Sequence, residues 1–317
     1  MNKIINCKSK NMDELIERIE KLELQIYDLI LDKYFKYLKE NGYVIIPNIL
    51  STEEIDLARK MFFDWKNQIE DLDKFHNMID PHGIFKFHEI GHQEFAWFIR
   101  TRPKIINLFK KLWDTNDLVV SFDGSCYIPK DCKKTDKLWT HTDQAPNSIG
   151  LKCYQSLVAL SSNEERTLVV YEKSHLIHEK YFKDRNIKSS NNWHLIDDEY
   201  LEEIKCYKRE LKINKGDLVI WDSRTFHQNK YGKPNSEERL VQYICYLPKN
   251  DTKNNQNQRA KREKYFLERR TTSHWPYSLK VNSLQPQTYG NTDRLIDYSK
   301  LKPPDLSKYM DTIKTLI

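Results

Sequence analysis

An α+β, β-rich fold is predicted for this 317-residue chain: a jelly roll whose outer sheet is backed by helices from the N-terminal part. Three observations predict it. Apolar residues recur at spacings of three and four up to about Trp113, the period of helices. From Leu118 onward the apolar runs shorten and read as strands. Turn-forming residues separate those runs, and strands that follow helices in this way suit a sheet-on-sheet body with the helices segregated to one face.

Residues 12–40 place Leu15, Ile16, Ile19, Leu22, Ile26, Ile30 and Leu31 on one helical face. Packing of that face on the domain is the first reading, and a dimerising coil is the second. Tyr43-Val44-Ile45-Ile46 is a strand closed by Pro47. Ser51 to Glu54 spells a capping box, with Ser51 at the N-cap and Glu54 reaching back. The helix that it opens carries Ile55, Ala58, Phe62, Trp65 and Ile69 on one side. A further helix runs from Pro103 to Trp113, with Ile105, Ile106, Phe109 and Leu112 inward. The strand-like runs are Leu118–Phe122, Lys152–Leu160, Thr167–Tyr171, Glu210–Ile213, Asp217–Trp221 and Leu240–Leu247. Lys183–Asp198 is polar with neither period, and is read as an insertion or lid. After Asn250 come a charged helix, Arg259–Arg270, and proline-containing loops. The resulting division is an N-terminal helical extension (1–40), a jelly-roll domain (41–250) and a C-terminal extension packing on it (251–317).

Composition narrows the function classes. Hydrophobic residues make up 39% and aromatic residues 12%, enough for a sizeable core. The net charge of +6 comes from 52 basic and 46 acidic residues with the signs interspersed, which reads as a solvated surface and argues against a nucleic-acid substrate. The basic run Arg259-Ala260-Lys261-Arg262 has no aromatic interleaving that would change this. No stretch has the length and apolarity of a membrane span, and the first residues show no apolar signal-peptide core. The six cysteines form no C-x-x-C pair and read as free thiols in a reducing compartment, so a cytoplasmic location is expected. No oligomeric state is read from the sequence.

The chemistry concentrates in His141-Thr142-Asp143, followed later by His227 and Arg239. Two ligands separated by one residue share a side of a strand, because strand side chains alternate. A distant histidine completes a set of two nitrogens and one carboxylate oxygen. That facial set leaves open positions on iron(II) and is the arrangement of non-haem oxygenases. Arginine beyond it offers a fixed cationic fork for a co-substrate carboxylate. Taken together, these residues suggest an enzyme that uses Fe(II) and 2-oxoglutarate. One H-x-D among ten histidines is weak alone. Its place at a strand end, after Trp139 and before Gln144-Ala145-Pro146, strengthens it.

At this point the chain resembles the phytanoyl-CoA dioxygenase-like family of Fe(II)/2-oxoglutarate-dependent oxygenases. The resemblance rests on Glu40-Asn41-Gly42-Tyr43-Val44-Ile45-Ile46-Pro47 with Ser51-Thr52-Glu53-Glu54. It also rests on Leu168-Val169-Val170 leading to Ser174-His175, where Glu172-Lys173 stand in place of Pro-Gly. It covers roughly residues 38–248. It implies a double-stranded β-helix (jelly-roll, cupin-like) core, with His141, Asp143 and His227 as iron ligands and Arg239 on the distal carboxylate of 2-oxoglutarate. Gln155 and Lys86 are carried over as further co-substrate contacts, a surface lysine being the other reading of Lys86. The resemblance also implies dioxygen as reactant and hydroxylation of a small-molecule or lipid-like substrate, since halogenating relatives lack an acidic residue at the position of Asp143.

Two alternatives stay open. His88-Glu89-Ile90-Gly91-His92 matches H-E-x-x-H, which on a helix would place two zinc ligands one turn apart beside a general base and make the protein a zinc metallopeptidase. Against it, Phe85-Lys86-Phe87 alternates like a strand and no third histidine follows. The other alternative is a jelly-roll module that binds metal through the later triad without catalysis. His175, His178 and His274 read as turn or surface histidines.

Overall fold

The computed structural model of the protein describes residues 2–79 and 82–317. Helix α1 (Asn2–Asn41) leads directly into strand β1 (Tyr43–Ile46) through Gly42. Gly42 has φ +83°, and a Cβ there would meet the His175 ring nitrogen at 2.5 Å, so the join demands glycine on both counts. Helices α2 (Thr52–Lys66) and α3 (Leu72–Ile79), strand β2 (Ile84–Phe85), and helices α4 (Glu94–Arg100) and α5 (Pro103–Trp113) follow. The capping box of α2 forms as its sequence predicts. Glu54 N–H donates to Ser51 Oγ (3.2 Å), and Ser51 N–H donates to the Glu54 carboxylate (2.9 Å). Ile55, Ala58, Phe62 and Trp65 are its buried face.

The β-rich part contains β3 (Leu118–Val120), β4 (Ser125–Ile128), β5 (His141–Thr142), β6 (Tyr154–Ala159) and β7 (Leu168–Tyr171). Helix α6 (Ser174–Asp184), β8 (His194–Leu195) and α7 (Asp198–Glu203) come next. Then come β9 (Lys208–Glu210), β10 (Leu218–Asp222), β11 (His227–Asn229), β12 (Arg239–Ile244), β13 (Tyr246–Pro248), α8 (Gln256–Leu267) and α9 (Met310–Leu316). Among the described residues the strands form a larger antiparallel sheet ordered β1-β10-β6-β12-β4-β2 and a smaller one ordered β8-β5-β11-β7-β9, while β13 pairs with β3. Consecutive strands from β4 to β7, and again from β9 to β12, alternate between the two sheets, so the chain laces them together.

Strand alternation sorts the side chains of the larger sheet into two layers. Val44, Ile46, Val158, Leu218, Ile220 and Leu240 join Phe62, Trp65, Phe95 and Phe109 of the helices in the main core. On the other face Cys126, Ile128, Leu157, Ala159, Val219, Trp221 and Val241 meet Leu168 and Val170 of the smaller sheet. The chemistry-bearing residues sit in this second layer. At its edge Gly124 lets β2 lie close, since a Cβ would meet the Phe85 carbonyl oxygen at 1.8 Å.

Three expectations are corrected. Helix α1 does not bury its whole apolar stripe: Leu31 is buried, but Leu15, Ile19, Leu22, Ile26 and Ile30 are exposed. Among the described residues the helix enters the core through Leu31, Phe35 and Leu38, with Tyr34 packed beside them, and the side chain of Ile16 lies outside the described residues. Second, Lys183–Asp198 is not wholly irregular, because β8 pairs with β5, with Leu195 opposite His141 and His194 opposite Thr142. A two-residue edge strand is too short to leave a period in the sequence. Third, Glu210–Ile213 is displaced: the strand is Lys208–Glu210, and Ile213 instead bridges to Asn163. Beyond Asn250, Thr272 N–H donates to the Phe122 carbonyl (2.9 Å), and Ile313 and Leu316 enter the main core. No helix among the described residues is long and apolar enough to cross a membrane.

Candidate metal centre

Strands β5 and β11 are neighbours in the smaller sheet, and their register sets His227 directly opposite His141. Side chains of such pairs share a face, and Asp143, two residues after His141, returns to that face. The two ring centroids are 4.4 Å apart. Asp143 Oδ2 lies 3.6 Å from His141 Nε2 and 3.3 Å from His227 Nε2. One ligand atom from each residue falls within 4.8 Å of the others, and among the described residues this is the group of histidine, cysteine and acidic side chains able to hold a metal.

Local hydrogen bonds position each ligand. His141 Nδ1 is 3.1 Å from the Trp139 carbonyl and His227 Nδ1 is 2.8 Å from the Thr225 carbonyl. Each carbonyl accepts the Nδ1 proton and leaves the Nε2 lone pair facing Asp143, the tautomer that a metal ligand needs. Thr140 Oγ1 and Trp139 N–H both donate to Gln228 Oε1 (2.7 and 3.2 Å), tying β5 to β11. After Asp143, Gln144 closes the turn: its amide donates to the Ser148 and Gly150 carbonyls (2.8 and 2.7 Å) and its oxygen accepts from Ser223 Oγ (2.8 Å).

The electrostatics suit a cation. Burial works against ionisation of Asp143, but the imidazoles of His274, His141 and His227 around it outweigh burial and hold the carboxyl well below its usual range. Burial lowers the pKa of His141 despite the neighbouring carboxylate, which favours the neutral, metal-ligating imidazole.

Gln155, on β6, reaches this cluster: its amide donates to Asp143 Oδ2 at 3.0 Å. The sequence reading gave it a co-substrate contact; in the structure its partner is the acidic residue of the triad. Removing such a supporting hydrogen bond typically costs 10–100-fold in metal affinity. Gln155→Leu is therefore expected to weaken metal binding by about 10-fold or more, measured by titration of the apoprotein. Unchanged affinity would assign the amide no orienting role.

Arg239 opens β12 on the same inner face and is fully buried. Its Nε donates to Asn163 Oδ1 (3.0 Å) and its Nη1 to Cys126 Sγ (3.4 Å), while Nη2 has no hydrogen-bond partner among the described residues. Through Cys126 its polar contacts reach β11, the strand that carries His227. Asn229, two residues beyond His227, has its amide 4.0 Å from Cys126 Sγ and donates to Tyr243 Oη at 3.0 Å. Lys86 stands apart from this buried set: it is exposed, one residue past the end of β2.

The peptidase motif does not form its site. His88 and Glu89 both have φ +55°, which excludes an α-helix across the motif, and only Ile90–His92 makes a single tight turn. His92 Nε2 is 3.0 Å from the Arg270 carbonyl, and Glu89 pairs with Arg269 at 2.6 Å. The residues serve the packing of the C-terminal segment.

Other histidines are redistributed as well. His175 Nε2 lies 3.0 Å from the Lys39 carbonyl and His178 Nε2 lies 3.2 Å from the Gln144 carbonyl, so both buttress the scaffold. His274 is a half-buried bend residue, as its turn reading has it, and it also interacts electrostatically with Asp143, His141 and His227; its Nε2 has no hydrogen-bond partner among the described residues. Trp139 stacks on His141 (4.8 Å), His82 stacks on Trp139 (3.7 Å), and the half-exposed Trp193 lies 5.6 Å from His141. Asn229 could have been found from its two-residue spacing after His227; His274, Cys126 and Trp193 carry no sequence signal that links them to the site.

No family model matches the chain. A curated protein named Ava biosynthesis cluster protein O, from Aspergillus versicolor, is 28% identical over 233 residues, covering 66% of this chain and 75% of that protein. Among solved structures, the alpha-ketoglutarate-dependent epimerase SnoN from nogalamycin biosynthesis is 16% identical with a TM-score of 0.49, covering 70% of this chain and 84% of that one. HygX from Streptomyces hygroscopicus, solved with nickel and 2-oxoglutarate bound, is 11% identical with a TM-score of 0.49, covering 69% and 88%. AviO1 from Streptomyces viridochromogenes is 14% identical with a TM-score of 0.47, covering 68% and 94%.

Proposed function

We propose that the protein is an iron(II)- and 2-oxoglutarate-dependent dioxygenase with a double-stranded β-helix core. In this reading it hydroxylates a small-molecule or lipid-like substrate and sits in the phytanoyl-CoA dioxygenase-like branch. One observation carries this: the His141/Asp143/His227 set on the smaller sheet faces the same layer between the sheets as a fully buried arginine on the larger one, whose Nη2 lacks an acceptor among the described residues. An enclosed N–H without a partner costs about 1–3 kcal/mol, so Arg239 fits a site for an anion. Two neutral imidazoles and one carboxylate fit iron(II). The donors and the cation thus match both ends of 2-oxoglutarate, and a substrate made or modified in a biosynthetic route agrees with the name of the fungal relative.

When bound, iron(II) with 2-oxoglutarate and dioxygen supplies the oxidation: one oxygen atom leaves in succinate with release of carbon dioxide, and the other enters a substrate C–H bond. The chain supplies the geometry. The Trp139 and Thr225 carbonyls hold the imidazole protons on Nδ1, and Gln155 steadies Asp143. Arg239 takes the far carboxylate as a planar fork. Trp139, with His82 stacked on it, and Trp193 lie beside His141, where they exclude water and border the substrate.

Purified protein given iron(II), 2-oxoglutarate and a metabolite extract in air is expected to form succinate and products heavier by one oxygen atom. Glu89→Gln should leave succinate formation intact. Metal binding without oxygen-dependent succinate would reduce the protein to a binding module. Peptidase activity lost in Glu89→Gln would overturn the oxygenase reading altogether.

A further inference from the structure

Helix α1 docks on the body through one face of its last turns. Leu31, Phe35 and Leu38 enter the core, and Lys111 bonds Asp28 and Asp32 at 2.9 and 3.1 Å. Counting about 100° per residue from Leu31, Asp28, Phe35 and Leu38 fall within about 60° of it. Leu15, Ile19, Leu22, Ile26 and Leu29 fall roughly 160–240° away, on the opposite side of the helix. All five are exposed, from 47% at Ile19 to 64% at Leu29. The body of the same chain therefore cannot cover them.

Their order says what can. The spacings alternate between four and three, the seam of a coiled coil, with isoleucine at both a positions (19 and 26) and leucine at all three d positions (15, 22 and 29). β-Branched residues at a with leucine at d select two parallel strands. In that arrangement each g residue meets the e residue five positions later on its partner, and Arg18 and Glu23 are such a pair, with opposite charge. A seam of about 15 residues is also marginal as an isolated helix in water, and association supplies the burial that stabilises it.

We propose that α1 forms a parallel, in-register two-stranded coiled coil with a second copy of this chain, through Leu15, Ile19, Leu22, Ile26 and Leu29. The two bodies then lie outside the seam, each on the far side of its own helix, and neither metal centre is involved.

Sedimentation equilibrium of the full chain over a wide dilution series tests this, with Leu22→Lys beside the wild type. The wild type is expected at twice the single-chain mass of 38.2 kDa at the upper concentrations, and Leu22→Lys at the single-chain mass with an unchanged cooperative melt of the body. A second measurement fixes direction. Leu15→Cys, at the end of the seam, is expected to oxidise to a disulfide-linked dimer, with the wild type as control for its native thiols, because position 15 faces its own copy in a parallel, in-register pair and faces position 29 in an antiparallel one. A wild type monomeric throughout overturns the proposal, as does a dimer that survives Leu22→Lys. A dimer in which Leu15→Cys fails to cross-link overturns the parallel register.

Discussion

Replacing His227 by alanine is expected to abolish stoichiometric iron(II) binding while leaving the fold intact. The site then offers one imidazole and one carboxylate, and Asp143 loses the nitrogen 3.3 Å from its Oδ2. Loss of a partner that merely supports a ligand costs up to about 100-fold in metal affinity, so loss of a ligand should exceed that. The fold should survive because β11 keeps its backbone pairing with β7 at Val170, Val169 and Leu168. The measurement is iron(II) content and affinity under anaerobic conditions, with a thermal melt of the apoprotein. Iron retained at one per chain in the variant would remove the triad assignment, and the oxygenase reading with it.

Arg239→Leu is expected to weaken 2-oxoglutarate binding by about 30-fold or more, with iron(II) affinity little changed. A dicarboxylate entering this layer needs a cation at its far end, or one carboxylate is buried without a partner. Truncating one member of a buried, hydrogen-bonded charge pair costs roughly 2–5 kcal/mol, and 2 kcal/mol corresponds to about 30-fold. Arg239→Lys should recover part of the affinity, since lysine keeps the charge and loses the fork. Binding of 2-oxoglutarate and of iron(II) would be measured on the same samples without oxygen. Equal 2-oxoglutarate affinity in wild type and Arg239→Leu would show that the guanidinium serves only Asn163 and Cys126.

Both expectations start from residues that the sequence marks. His141 and Asp143 can be paired from spacing alone, because strand alternation is a local property of the backbone. The capping box at Ser51 and the face of α2 are legible for the same reason. The partnership of His227 with His141 is different in kind. It depends on a register between strands far apart in the chain, which the sequence suggests only through resemblance to a family.

What the sequence determined by itself is therefore local: helices α1, α2 and α5, most of the longer strands, the H-x-D pair and the arginine at a strand start, while the shorter α3 and α4 left no legible period. Only the tertiary structure decided what each side chain faces. It turned Gln155 onto Asp143, brought His274 from the C-terminal segment within electrostatic reach of the triad, and gave Arg239 two partners and a third donor with no acceptor among the described residues. It also dismantled H-E-x-x-H with two left-handed residues, and left the apolar stripe of α1 uncovered by its own domain. The physical reason is common to all of these. Periodicity reports which face of an element is apolar, whereas the neighbour that meets that face is chosen by packing between segments distant in sequence, and no local pattern encodes it.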